Sequence, residues 1–150
     1  MKRRILIITI GFLIIIQLIR PERNISPAAS PNDISTKYVV PANVKQVLDR
    51  ACDDCHSNNT NYPWYSNIQP VGWWLQHHVN EGKRELNFNE FAGYPLKKQD
   101  HKLEELIKTV KEGEMPLTSY TWIHDNAKLS EQDKQLLLSW AQEIRKKIIL

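Results

Sequence analysis

The only two cysteines of this chain stand three residues apart, in Cys52-Asp53-Asp54-Cys55-His56, with a histidine directly after the second. On a helix, positions 52, 55 and 56 are related as i, i+3 and i+4, so two sulfurs and one imidazole leave from a single face. A flat macrocycle can meet all three at once. C-x-x-C-H is the attachment signature of haem c, and it implies one covalently bound haem. Cys52 and Cys55 are then the attachment points and His56 is the proximal axial ligand of the iron. A redox dithiol wants its cysteine pair at the start of a helix that follows a strand, and the segment before Cys52 reads as helix instead. A zinc site needs more ligands, for which His77-His78 is the available pair, and a structural disulfide is the remaining reading.

Such an iron takes either a second protein ligand, which suits outer-sphere electron transfer, or keeps an open position, which suits a gas or redox sensor or a peroxidase-like protein. Met115, in Gly113-Glu114-Met115-Pro116-Leu117, is the only methionine besides the initiator. A proline-constrained loop holds a thioether well, which makes Met115 the candidate distal ligand. His124 is the alternative. His78 falls on an apolar helix face as a structural histidine does, and His77 and His101 look towards solvent. Trp64, Tyr65, Trp73, Trp74 and Trp122 are expected to cover the macrocycle, and a carbonyl near Tyr62-Pro63 is expected to accept the Nδ1 proton of His56.

The rest of the chain supplies helices and a membrane address. Lys2-Arg3-Arg4 precedes an apolar run from Ile5 to Ile19, which reads as an uncleaved signal anchor over residues 1–20 that spans the inner membrane once. The cations stay on the cytoplasmic side, so the domain faces the periplasm. Residues 21–40, with several prolines, asparagines and serines, read as an extended linker that holds the domain off the membrane. Residues 41–150 then form one helical domain. Val44, Val47, Leu48 and Ala51 mark a first helix ending at the cysteine motif, and Val71, Trp74, Leu75, His78 and Val79 a second, stopped by Gly82. Leu103, Leu106, Ile107 and Val110 mark a third, capped by Asp100 and ended by Gly113. A last helix follows Ser130 and Asp133, with Leu136, Leu137, Trp140, Ala141 and Ile144 on one face. The formal charge of +3 is misleading. Residues 1–23 hold five cations and one carboxylate, leaving fifteen cations against sixteen carboxylates elsewhere, so no basic footprint for nucleic acid exists.

The motif Cys52-Asp53-Asp54-Cys55-His56, together with Tyr62-Pro63-Trp64-Tyr65, Ile68-Gln69-Pro70-Val71 and His77-His78-Val79-Asn80-Glu81-Gly82, resembles the bacterial haem-binding domain family of cytochrome c-like proteins. The likeness runs from about Val39 to Ala141 and includes Met115-Pro116 and Leu129-Ser130. It implies an all-α, cytochrome c-like domain around one haem, with the membrane-anchor helix and the linker left outside the likeness. The function expected is one-electron transfer with a redox partner protein, as a carrier rather than an enzyme.

Overall fold

The computed structural model describes residues 1–26 and 28–149; Pro27, in the expected linker, and Leu150 lie outside them. Seven α-helices occur among the described residues: α1 (Lys2–Ile16), α2 (Ala42–Ala51), α3 (Asp53–His56), α4 (Val71–Glu85), α5 (Leu96–Glu112), α6 (Thr118–Thr121) and α7 (Glu131–Ile149). No strand occurs there; one isolated bridge pairs Ile25 with Asn59. The domain is therefore all-α, as the apolar periodicities require.

Three helices build the core. Val44, Val47, Leu48 and Ala51 are all buried along α2. They meet Leu103, Leu106 and Val110 of α5 and Leu137, Trp140, Ala141 and Ile144 of α7, with Phe88 and Phe91 from a 3₁₀ turn over Phe88–Gly93. The expected stripes thus become one interface. Gly113 ends α5 with φ of 74°, a left-handed cap that suits glycine. α5 begins at Leu96 rather than near Asp100, because Pro95 supplies the extended entry. Asp100 instead accepts a hydrogen bond from Arg145 Nε at 2.6 Å, fastening α5 to α7.

α4 departs further from expectation. It runs through Gly82 to Glu85, and its buried residues are Gly72, Gln76 and Val79, while Val71 and Trp74 are exposed. Gln76 is tolerated inside because Tyr62 Oη–H donates to its Oε1 at 2.6 Å and its own amide donates to Asn80 Oδ1 at 2.9 Å.

Residues 21–40 are not a free spacer. The Asn24 backbone amide donates to Tyr62 Oη at 2.7 Å, and its side-chain amide donates to Ser57 O and Thr60 Oγ1, both at 2.9 Å. Farther along, Ile34 and Tyr38 are buried in the core. These two apolar residues, four apart, give the segment enough buried area to lie on the domain. α1 ends at Ile16, short of the expected segment 1–20, because Gln17 turns to pair with Gln69 through hydrogen bonds of 2.8 and 3.1 Å. No helix among the described residues is long and apolar enough to cross a membrane.

The entry to α7 gives a test. Asp133 Oδ2 accepts from the Ser130 amide at 2.8 Å, the Asp133 amide donates back to Ser130 Oγ at 3.1 Å, and Arg50 lies 2.7 Å from the same carboxylate. The Arg50 guanidinium, with Ser130, holds the Asp133 carboxyl down at about 2 against an ordinary 3.8. A depressed carboxyl stabilises the fold above its unfolded value and loses that contribution as pH falls through the folded one. Asp133→Asn is expected to lower stability by about 1 kcal/mol at neutral pH. In urea titrations the gap from wild type should stay constant above pH ~5 and close as pH falls from about 4 to about 2.

Candidate functional site

α2 ends at Ala51, and the chain bends at Cys52, with φ of −128°, before a single turn carries Cys55 and His56. The Cys55 and His56 amides both donate to Cys52 O, at 3.1 and 2.9 Å, so the motif is a closed turn rather than a continuation of α2. That turn is clamped from both sides. Thr60 Oγ1 donates to Asp54 O at 2.6 Å, the Asn61 amide to Asp54 Oδ1 at 2.9 Å and Tyr120 Oη to Asp54 Oδ2 at 2.6 Å. Behind it, α4 passes so close that a Cβ on Gly82 would stand 2.6 Å from Cys55 O and 2.9 Å from Cys55 Cβ. Gly82 is therefore a point of close approach rather than a helix stop.

The asparagines after the motif also have a task. The Asn58 backbone amide donates to Asn89 Oδ1 at 2.6 Å, its side-chain amide donates to Glu90 at 2.9 Å, and its Oδ1 accepts from Asn87 Nδ2 at 2.8 Å. This ties the loop to the turn that carries Phe88. No buried side-chain nitrogen or oxygen among the described residues lacks a partner.

Cys52, Cys55 and His56 line one cavity of about 400 Å³, and Met115 lines it too. The volume lies in the range of about 300–1,000 Å³ usual for cofactor sites. Its walls come from Gly82 and Leu86 after the motif, and from Leu106, Thr109 and Val110 of α5. Met115 reaches the cavity because Gly113 turns the chain, and the amides of Glu114 and Met115 then bond back to Thr109 O at 2.9 and 3.2 Å. At the rim, Lys102 Nζ sits 3.1 Å from Glu85 Oε2 and 2.6 Å from Glu105 Oε2.

The donor set is that of neither a redox dithiol nor a four-ligand zinc site. Burial pushes the Cys52 thiol up to about 12 and the Cys55 thiol up to about 11, helped at Cys55 by the Asp54 carboxylate. These are the reverse of the depressed thiols that a redox dithiol uses. Burial lowers the basicity of His56, which keeps the ring neutral. Its Nδ1–H donates to Leu86 O at 2.9 Å, so Nε2 retains the lone pair that a metal needs. The acceptor is thus Leu86, just past the end of α4, and not a carbonyl near Tyr62-Pro63. Among the described residues no group of three or more His, Cys, Asp or Glu side chains is assembled to hold a metal ion. His77 is exposed and lines none of this cavity, so the His77-His78 pair does not complete a four-ligand zinc site.

His124 lies elsewhere. It borders a second, smaller depression of about 80 Å³, where its Nε2 and Tyr65 Oη are 2.8 Å apart and its ring stacks on Tyr120 at 4.3 Å. The expected aromatic wall is also absent from the main cavity: Trp64, Tyr65, Trp73, Trp74 and Trp122 do not line it. Its aromatic residues are Phe88, edge-on to His56 at 6.3 Å, and Tyr120. Neither carried a distinguishing signal in the sequence, since each lies in a short turn without periodicity. Gly82→Ala is expected to cost at least ~1 kcal/mol despite the better helix propensity of alanine. It should also lower the haem content per polypeptide, measured by absorbance against total protein, whereas Gly11→Ala, with open space around it, should change neither.

Comparison with known proteins bears on the same residues. No curated protein and no solved structure matches the chain. A family model described as a haem-binding domain matches residues 11–143, reaching upstream into the segment 21–40 that packs on the domain. With Cys52, Cys55 and His56 gathered on one apolar cavity inside the matched region, the chain belongs to the haem-binding domain family.

Proposed function

We propose that the protein carries one haem c, attached through Cys52 and Cys55, and passes single electrons at the outer face of a cytoplasmic membrane. The observation that carries this reading is the shared cavity, which Cys52, Cys55, His56 and Met115 all line. Haem, when bound, supplies an iron that cycles between ferric and ferrous states. The chain's own residues do the rest. The closed turn at Cys52 and the clamp on Asp54 present both thiols without further ordering, and Leu86 O fixes the His56 ring and its tautomer. Met115, held by the turn after α5, would supply a second protein ligand to the iron, which suits electron transfer over small-molecule activation. Leu86, Phe88, Leu106 and Val110 give the cavity a low-polarity lining, which disfavours the more highly charged ferric state and so raises the reduction potential.

The membrane part of the proposal rests on α1. Its apolar side chains from Ile5 to Ile15 are exposed without protein partners, an arrangement suited to lipid. The apolar run continues to Ile19, and its modest length is accommodated by bilayer thinning and by Lys2, Arg3 and Arg4 reaching to the headgroups on the inner side.

Optical spectra of membranes and purified protein, oxidised and dithionite-reduced, test the whole reading. The expected result is a c-type spectrum that survives acid-acetone extraction in wild type and becomes extractable in Cys52→Ser/Cys55→Ser. Met115→Ala should lose the weak near-infrared sulfur-to-iron band and bind carbon monoxide readily when reduced. A protein without haem after expression with haem-maturation machinery would overturn the proposal. Haem without the sulfur band in wild type would overturn Met115 as ligand and favour an open site.

A further inference from the structure

We infer that the face formed by Trp64, Ile68, Val71, Trp74, Trp122 and Ile123 lies against the phospholipid surface, so that the domain sits flat on the membrane instead of standing away from it. The inference rests on the insertion of α1 proposed above.

Three of the five tryptophans are the starting point. Trp122 is 81% exposed, Trp64 76% and Trp74 49%, while only Trp140 is buried as a core tryptophan is. Val71, Trp74 and Ile123 border one small depression together with Tyr65, and Trp64 leans edge-on against Tyr65 at 5.9 Å. Ile68 and Ile123 are 47% and 63% exposed beside them. Isolated apolar residues on a surface are ordinary, but a contiguous group rich in tryptophan marks a binding face.

Two further observations choose the occupant. First, the segments that form the face carry no charge of their own, and Asp54, which borders the depression, has its carboxylate engaged by Tyr120 Oη at 2.6 Å. A quarter of the chain is Asp, Glu, Lys or Arg, yet none occurs from Cys55 to Asn80 or from Met115 to His124, the two segments that form it. A protein docking site for a soluble redox partner generally offers complementary charge to steer and orient encounter. That charge is found at the rim of the main cavity, at Lys102, Glu85 and Glu105, and not here. Tryptophan and tyrosine with small polar neighbours are what the boundary between headgroups and acyl chains favours.

Second, the face is continuous with the end of the anchor. Gln17, one residue past α1, pairs with Gln69 through two hydrogen bonds, and Trp73 Nε1–H donates to Ile19 O at 2.8 Å. Ile68 and Val71 flank Gln69, and Trp74 follows one helical turn later, about 5 Å along α4. The chain leaving the bilayer is thus bonded directly to the segment that displays the patch. A short anchor acts in the same direction. Fifteen helical residues give α1 about 22 Å against a hydrocarbon core of about 30 Å, so the domain is drawn towards the interface.

Site-specific photocrosslinking of the full-length haem protein in vesicles of phosphatidylethanolamine and phosphatidylglycerol tests this. Benzoylphenylalanine would replace Trp74, Trp122, Ile10 in the anchor, or Glu104 on α5, one position at a time. The expected result is phospholipid adducts by mass spectrometry at Trp74 and Trp122 in yields comparable to Ile10, and none at Glu104. Adducts at Ile10 alone would overturn the inference while leaving the anchor intact. Protein-to-protein adducts at Trp74 or Trp122 would overturn it in favour of contact between copies. Absence of lipid adducts at Ile10 would remove the anchor and the inference together.

Discussion

The contact on which the rest depends is the approach of α4 to the cysteine turn, possible only because position 82 has no side chain. With the helix backbone against Cys55, the turn is held in place, and the cavity that Cys52, Cys55 and His56 line is walled by the same stretch of α4. The same approach requires α4 to continue past Gly82, which brings the chain out at Leu86 where its carbonyl meets His56 Nδ1. One missing Cβ therefore connects the attachment points to the orientation of the metal ligand. Any haem-binding arrangement on this turn inherits its rigidity from α4 on one side and from the hydrogen bonds to Asp54 on the other.

The sequence made the long amphipathic helices legible, and the reason is physical. In α2, α5 and α7 the buried residues are aliphatic or aromatic at helical spacing, so the periodicity reports burial directly. In α4 it does not. There the inward face is Gly72, Gln76 and Val79, buried through a close approach and through satisfied amide hydrogen bonds. Hydropathy assigns neither feature to an interior, so Val71 and Trp74 look like the core face while standing in the open. Likewise, the motif residues stand out because Cys-x-x-Cys-His is a local pattern in the sequence. The partners that shape the cavity, Leu86, Phe88 and Tyr120, are distant in sequence and chemically ordinary.

Residues 21–40 show the same limit in another form. Their proline and asparagine content describes a chain without its own hydrogen-bonded ladder, and composition alone equates that with a spacer. Here the ladder is replaced by side chains: Asn24 bonds to three partners around the loop 57–62, Ser30 and Asn32 bond to Glu90, and Asp33 accepts from Asn89. Extended backbone satisfied by other elements is a strap, and it covers the Asn-rich loop behind the motif.

The cavity itself constrains how folding and cofactor capture relate. At about 24 cal/mol per Å³, filling about 400 Å³ of apolar space with a close-fitting ligand recovers at most ~10 kcal/mol of contacts, an upper bound because the mouth opens to solvent. That is as large as the ~5–15 kcal/mol by which an ordinary domain is stable. α5, which lines the cavity with Leu106 and Val110, also carries much of the core, so occupancy and folding act on the same residues. The turn with Cys52, Cys55 and His56 is held mainly by local hydrogen bonds and by the Asp54 clamp, which need less of that core. If haem is attached as proposed, attachment at the turn before closure of α5 and the Met115 loop is the order that these separate supports favour.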